Sequence, residues 1–143
     1  MFLGGDYMCI FCEIANKKIA SNIIYEDDSV FAFLDLSQAG KGHTLVIPKK
    51  HYTDLLEIDD ADYLHVMEVA KKIASVLKKT FSCEGINILN NCGSAAGQSV
   101  FHFHVHVIPR YNNDKVTIIW EDHSDMMQKE ELLEIKESIL KNI

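Results

Sequence analysis

The stretch Phe101-His102-Phe103-His104-Val105-His106-Val107-Ile108 constrains this chain more than any other segment. Histidines and apolar residues alternate with a period of two, the pattern of a strand with one buried face. In that conformation His102, His104 and His106 line one face, and Phe101, Phe103, Val105 and Val107 line the other. Imidazole is the side chain best suited to nucleophilic, acid–base and metal-ligand work near neutral pH. Solubility alone does not call for three of them in a row.

The remaining pattern places this strand in an α+β domain. Ile23–Glu26 and Val30–Leu34 read as a hairpin around Asp27-Asp28-Ser29. Thr44–Ile47 is a further strand, stopped by Pro48. Asp59 or Asp60 opens a long helix ending near Lys79, with Leu64, Met67, Ala70, Ile73, Ala74 and Leu77 as its buried stripe. Gly85–Leu89 and Val116–Trp120 read as strands. Ser124 or Asp125 starts a C-terminal helix within residues 121–143, with Leu132, Leu133, Ile135, Ile139 and Leu140 facing inward. Strands this close in sequence form an antiparallel sheet, not a doubly wound parallel one. The 143 residues make one domain, 8–143, with Met1–Tyr7 as an N-terminal extension.

Charge and composition exclude several function classes. A formal net charge of −7 argues against a general nucleic-acid grip, which needs a basic face. A small phosphorylated ligand held by local donors remains compatible with it. No apolar run is long enough to span a bilayer, and the N-terminus lacks the basic and apolar regions of a secretion signal. The chain is therefore expected in the cytoplasm, with Cys9, Cys12, Cys83 and Cys92 reduced. Cys83 and Cys92 read as small core or loop residues.

Two further segments carry chemistry. In Asn91-Cys92-Gly93-Ser94-Ala95-Ala96-Gly97-Gln98-Ser99, small residues let backbone N–H groups approach an oxyanion. The Gln98 amide and the Ser99 hydroxyl add donors just before the histidines. Cys9-x-x-Cys12 supplies two of the four ligands that a structural zinc takes, and the spacing does not name the other two. The pair does not follow a strand in a βαβ unit, so a thioredoxin-like redox role does not fit. Taken alone, Asp35 reads as a strand-end turn residue, His43 as a polar strand start, His65 as an exposed helix residue and His123 as loop.

Residues 98–108 resemble the signature of the histidine triad (HIT) superfamily, His-φ-His-φ-His-φ-φ with φ apolar. Cys9-Ile10-Phe11-Cys12, Phe33-Leu34-Asp35 and the segment from Gly42 to His51 resemble further motifs of the same family. Together these motifs cover most of residues 8–110. The resemblance implies a HIT-like fold: an antiparallel sheet of about five strands with one long helix and a C-terminal helix, the sheet continuing across a homodimer. It implies a nucleotide hydrolase or nucleotidyl transferase that cleaves at the α-phosphate of purine nucleotides and releases an AMP-type product. By the same resemblance His104 attacks phosphorus and carries a nucleotidyl group. His106, Gln98 and Ser99 match positions that bind phosphoryl oxygens and the leaving group. Asp35 matches the carboxylate that accepts both ribose hydroxyls, Asn91 matches a phosphate-side or ribose-side amide position, Gly97 belongs to the nucleotide-binding loop, and His43 matches a histidine that orients the triad or relays protons. In zinc-bearing branches the two further ligands match His51 and His102, which join Cys9 and Cys12.

Two substrate classes fit the resemblance, adenosine phosphoramidates and dinucleoside polyphosphates. Pro109-Arg110 resembles the polyphosphate branch, where a cation would help the leaving phosphate, whereas the segment from Tyr111 onward departs from both patterns. A nucleotide-binding or sensing module with incidental hydrolysis is the alternative from a different class. A metal-stabilised interaction protein is a third.

Overall fold

The structure is a computed structural model that describes residues 9–124 and 128–143. The expected extension Met1–Tyr7 and Asp125 as a helix start lie outside the described residues. The elements are α1 (Ile10–Ala15), β1 (Ile23–Glu26), β2 (Val30–Leu34), β3 (Thr44–Pro48), α2 (Asp60–Phe81), β4 (Gly85–Leu89), β5 (Val105–Arg110) and α3 (Lys129–Leu140). A short 3₁₀ turn, Ser94–Ala96, interrupts the β4–β5 loop. The five strands form one antiparallel sheet in the order β1-β2-β3-β5-β4, the α+β class expected.

Both faces of the central strands are buried, so β2 and β3 read as nearly continuous apolar runs. Val30, Ala32, Val46, Phe103, Val105 and Val107 meet Val66, Val69, Ala70, Ile73 and Leu77 of α2 on one face. Phe31, Phe33, Leu45 and Ile47 meet Phe11 and Ile14 of α1 on the other. Burying each such side chain stabilises the fold by roughly 1.5–3 kcal/mol. The second face is also the histidine face, so α1 covers the chemistry while α2 covers the core.

The buried stripe of α2 is Val66, Val69, Ala70, Ile73 and Leu77, with Met67 and Ala74 packed beside it. Leu64, expected inward, is 66% exposed. Two phases of the helical repeat overlap in this sequence, and the sheet selects the Val66 phase. His65, expected to be free at the surface, instead donates from Nε2 to Asp27 at 2.7 Å. Asp27 also accepts from the backbone N–H of Ser29 and Val30 and from the Tyr25 hydroxyl, so one carboxylate ties α2 to the β1–β2 turn. The hydrogen bond to Asp27, with Glu68 beside it, raises the His65 pKa.

Two expectations about the C-terminal part fail. Val116–Trp120 forms no strand, and Ile119 and Trp120 stand exposed. Strand-forming side chains give a strand only where a neighbour accepts the backbone ladder, and neither sheet edge pairs with this segment. α3 begins at Lys129 behind a capping box made by Gln128 and Glu131, not at Ser124. Its apolar residues Leu132, Leu133, Ile135, Ile139 and Leu140 are exposed, so the amphipathic period does not mark a face buried in this chain. Among the described residues, no helix is long and apolar enough to cross a membrane.

Candidate active site

β5 begins only at Val105, so of the three triad histidines His106 alone lies in regular strand. The segment before it leaves the ladder because the Phe103 N–H donates to the Tyr52 carbonyl at 2.7 Å. Phe103, Val105 and Val107 still pack under α2, but Phe101 is 48% exposed, which breaks the expected alternation at its start. The histidine rings nonetheless form a row, with His104 and His106 ring centroids 5.0 Å apart. Phe11 of α1 stands edge-on to His104 at 5.2 Å and to His102 at 5.9 Å. Asn90, not named from the sequence, holds the row from behind by donating Nδ2–H to the His104 carbonyl at 2.9 Å.

Backbone groups set a different tautomer for each ring. His104 places Nδ1 2.7 Å from the His102 carbonyl, which can only accept, so Nδ1 carries the proton and Nε2 keeps its lone pair. His102 donates Nε2–H to the Pro48 carbonyl at 2.8 Å, which leaves Nδ1 as the free lone pair. His43 is reversed. Its Nδ1 accepts from the Ala39 N–H at 3.2 Å, so Nε2 carries the proton. That proton points at His106 Nδ1, 2.9 Å away. His106 therefore accepts at Nδ1 and presents Nε2–H to the site.

The freed Nδ1 of His102 completes a cluster with Cys9, Cys12 and His51. Its Nδ1 lies 3.4 Å from Cys9 Sγ, 3.5 Å from Cys12 Sγ and 3.2 Å from His51 Nδ1, and Cys12 Sγ lies 3.4 Å from His51 Nδ1. A tetrahedral zinc with Zn–S near 2.3 Å and Zn–N near 2.0 Å has ligand–ligand edges of about 3.3–3.8 Å. The donor set and its spacing fit zinc. The two cysteines sit at the start of α1, so this cluster ties α1 to the segment carrying His102 and His104.

Burial holds the imidazoles neutral. It lowers the pKa of His104 and His43, and it lowers His106 to about 4 with help from His104 and His43. Asp35 moves the other way in charge. Burial raises its pKa, but the hydrogen bonds from Ser37 and the nearby His43 and His106 outweigh burial and hold it ionised. Its Oδ1 accepts from the Ser37 N–H and hydroxyl, while Oδ2 lies 3.6 Å from His43 Nε2. Ser37 thus occupies Oδ1, and Oδ2 is the carboxylate oxygen left open toward the site.

The Asn91–Ser99 loop is present, but its parts divide the work differently from expectation. Gln98 is buried, and its amide donates to the carbonyls of Thr53 and Val100 while accepting the Gly93 N–H. It braces the loop, and its donors are already spent on the backbone. Asn91 Nδ2 reaches the Gly97 carbonyl at 3.4 Å. Gly97 holds φ +87, and a Cβ there would meet the Asn91 amide at 3.5 Å. Ser99 opens on a cleft of about 480 Å³ shared with Cys9, Ile10, His51, Thr53, Val100 and Phe101.

Arg110, expected to help a leaving phosphate, is committed elsewhere. Its guanidinium donates to Asp114, to Asn87 and to the Val116 carbonyl at the far end of β5. Cys83 is buried and Cys92 half-buried, both outside the cluster, and His123 is exposed, with Nε2 3.8 Å from Glu121.

A HIT domain family model matches residues 16–113. The chain is 46% identical over 136 residues to Protein hit of Bacillus subtilis (strain 168), covering 94% of each. It superposes on a histidine triad nucleotide-binding protein from Candida albicans with a TM-score of 0.84 at 32% identity, covering 94% of this chain and 96% of that one. A Zn-bound histidine triad family protein from Mycobacterium smegmatis matches with a TM-score of 0.75 at 33% identity, over 94% and 99% of the two chains. The histidine row, the five-stranded sheet and these matches together establish that the chain belongs to the HIT domain family.

Proposed function

We propose that this chain hydrolyses or transfers at the α-phosphate of adenosine-type purine nucleotides through a nucleotidyl group carried on His104 Nε2. The single observation that carries this reading is the hydrogen bond from His104 Nδ1 to the His102 carbonyl, which leaves a neutral, buried imidazole with its Nε2 lone pair open. That lone pair forms a bond to phosphorus as the bond from phosphorus to the leaving group breaks, and the leaving group departs with a proton drawn from solvent. Water then attacks phosphorus, returns a proton to solvent and displaces Nε2, releasing the mononucleotide and restoring His104. One difficult displacement becomes two easier ones.

His106 Nε2–H is the donor for the phosphoryl oxygens and the departing atom. A donor aimed at developing charge contributes about 3–4 kcal/mol in a transition state. His43 holds His106 in that tautomer, and Asp35 Oδ2 accepts from the ribose. Asn91, Gly97 and Ser99 supply the phosphate-side donors, with Gln98 bracing their loop. Cys9, Cys12, His51 and His102 would hold zinc, which supplies a structural link between α1 and the triad and takes no part at phosphorus. The Zn-bound relative supports this assignment.

Among substrates we favour phosphoramidates over dinucleoside polyphosphates, because the cation that suggested the latter is bound within the chain. We propose a homodimer, as the resemblance implies, and the β4 edge strand, where Ile88 is exposed, and the outward Leu64 and Val76 of α2 support it. A single domain over 8–143 and a reducing cytoplasmic setting complete the reading.

The test is turnover of an adenosine phosphoramidate beside a diadenosine polyphosphate. AMP release from the first with higher kcat/KM is the expected result. Tight binding of AMP with cleavage of neither substrate would replace the enzyme by a sensing module.

A further inference from the structure

The loop between β2 and β3 carries both Asp35 and His43 into the site, yet it contains no regular structure. Gly42 takes φ +95, where an added Cβ would meet the Phe81 ring at 2.8 Å. A loop built this way needs a side chain to hold it. Gln38 does so with three hydrogen bonds. Its amide donates to the Asp35 carbonyl at 2.6 Å and to the His43 carbonyl at 2.8 Å, and its Oε1 accepts the Gly42 N–H at 2.9 Å. These bonds close both ends of the loop on one residue. The next residue is Ala39, whose N–H donates to His43 Nδ1.

We infer that Gln38 is a positioning residue which, through the loop it clasps, decides which nitrogen of His106 carries the proton, and so whether the Nε2 facing the substrate is a donor or a bare lone pair. The chain of cause is short. Gln38 fixes the peptide that carries the Ala39 N–H. That N–H makes His43 Nδ1 an acceptor, so the His43 proton sits on Nε2 and is donated to His106 Nδ1. His106 is then left with a proton on Nε2. Without the clasp, the Ala39 peptide is free to turn and His43 gains access to its other tautomer. In that state His43 Nε2 accepts, His106 donates from Nδ1, and a bare Nε2 lone pair meets the phosphoryl oxygens. Lone pair against negative charge is repulsive, so a donor becomes an obstacle.

The tautomer claim stands on geometry alone, and its catalytic consequence rests on the function proposed above. Gln38 lies at the surface, so replacing it removes no core packing. Long-range nitrogen–proton NMR correlations of the histidine rings read the tautomers directly in the free protein. The wild type should show His106 protonated on Nε2. Gln38→Leu should move a measurable fraction of His106 to the Nδ1-protonated form. The turnover number should fall about tenfold with KM within twofold, a part of the loss seen when such a donor is removed outright. Gln38→Glu keeps the acceptor for the Gly42 N–H but loses both amide donors, and it should shift the tautomers in the same direction. Wild-type tautomers in both variants would overturn the inference whatever the activity. A wild-type enzyme inert toward nucleotides would overturn the proposed function and leave the NMR result to decide this one.

Discussion

Two side-chain clusters flank His104, and they differ less in composition than in what holds them. On one side stand Cys9, Cys12, His51 and His102; on the other stand Asp35, His43 and His106. Both offer metal-type ligand atoms at close range. In the first, a carbonyl takes the outer proton of His102, so its inner nitrogen turns a lone pair toward the thiols. In the second, a backbone N–H approaches His43 from outside, so its inner nitrogen carries a proton that His106 shares. The first cluster is built to receive a cation and the second to pass and present protons. The backbone partner of each imidazole makes the division, a rule familiar from the outer shells of metal sites.

Removing the centre between the clusters has the largest expected effect. His104→Ala should lower hydrolysis of an adenosine phosphoramidate by at least about 10⁴-fold, the scale seen when a nucleophile is deleted. Retention of activity in a steady-state assay would dissolve the distinction between the clusters. Next, Cys9→Ser should abolish metal measured by elemental analysis and lower the thermal midpoint strongly, since ligand sets of this kind contribute binding energy to folding. His43→Asn is the converse experiment. It should cost about 10²-fold in turnover, within the range for a lost acid–base partner, while metal content stays at the wild-type level. Metal lost from His43→Asn, or kept in Cys9→Ser, would break the comparison.

The second cluster also has a pH signature. His106 titrates near 4 in the fold against an ordinary value of 6.5, because burial and its neighbours disfavour the cation. On acidification the unfolded chain takes up this proton first. The stability it contributes is therefore intact above 6.5 and is lost as pH falls through about 4. Thermal midpoints from pH 7 to pH 4 should fall less steeply in His106→Asn than in the wild type, and equal slopes would contradict this. Arg110→Ala should change kcat/KM for phosphoramidate hydrolysis less than twofold, since Arg110 serves Asp114 and not the site. A selective loss on the polyphosphate substrate would restore the role first expected of it.

Much of this was legible in the chain. The hairpin β1–β2, β3 and β4 follow from apolar runs between turn residues, and their observed bounds match those runs closely. Spacing alone points to Cys9 and Cys12, and the family resemblance names the other residues of both clusters. The start of β5 was misread because the alternation continues in sequence past the point where the Tyr52 carbonyl takes the Phe103 N–H out of the ladder. α1, six residues long, is too short to show a helical period. Gln98 and Arg110 have the right chemistry for phosphate, but only the fold shows that Thr53, Val100, Asp114 and Asn87 claim them first. The tautomers were beyond reach for a deeper reason. They depend on the carbonyls of Pro48 and His102, which every residue type carries, and on the N–H of Ala39, which every type but proline carries.

The most direct test of the division is where a nucleotidyl group lands. Wild-type protein mixed briefly with an adenosine phosphoramidate, quenched without acid, digested and analysed by mass spectrometry should yield an acid-labile nucleoside monophosphate adduct. Fragmentation should place it on His104, the ring whose lone pair is open toward the site. An adduct on His106 or His102 would contradict the account, because it would require a lone pair where the backbone has set a proton or turned the nitrogen toward the thiols.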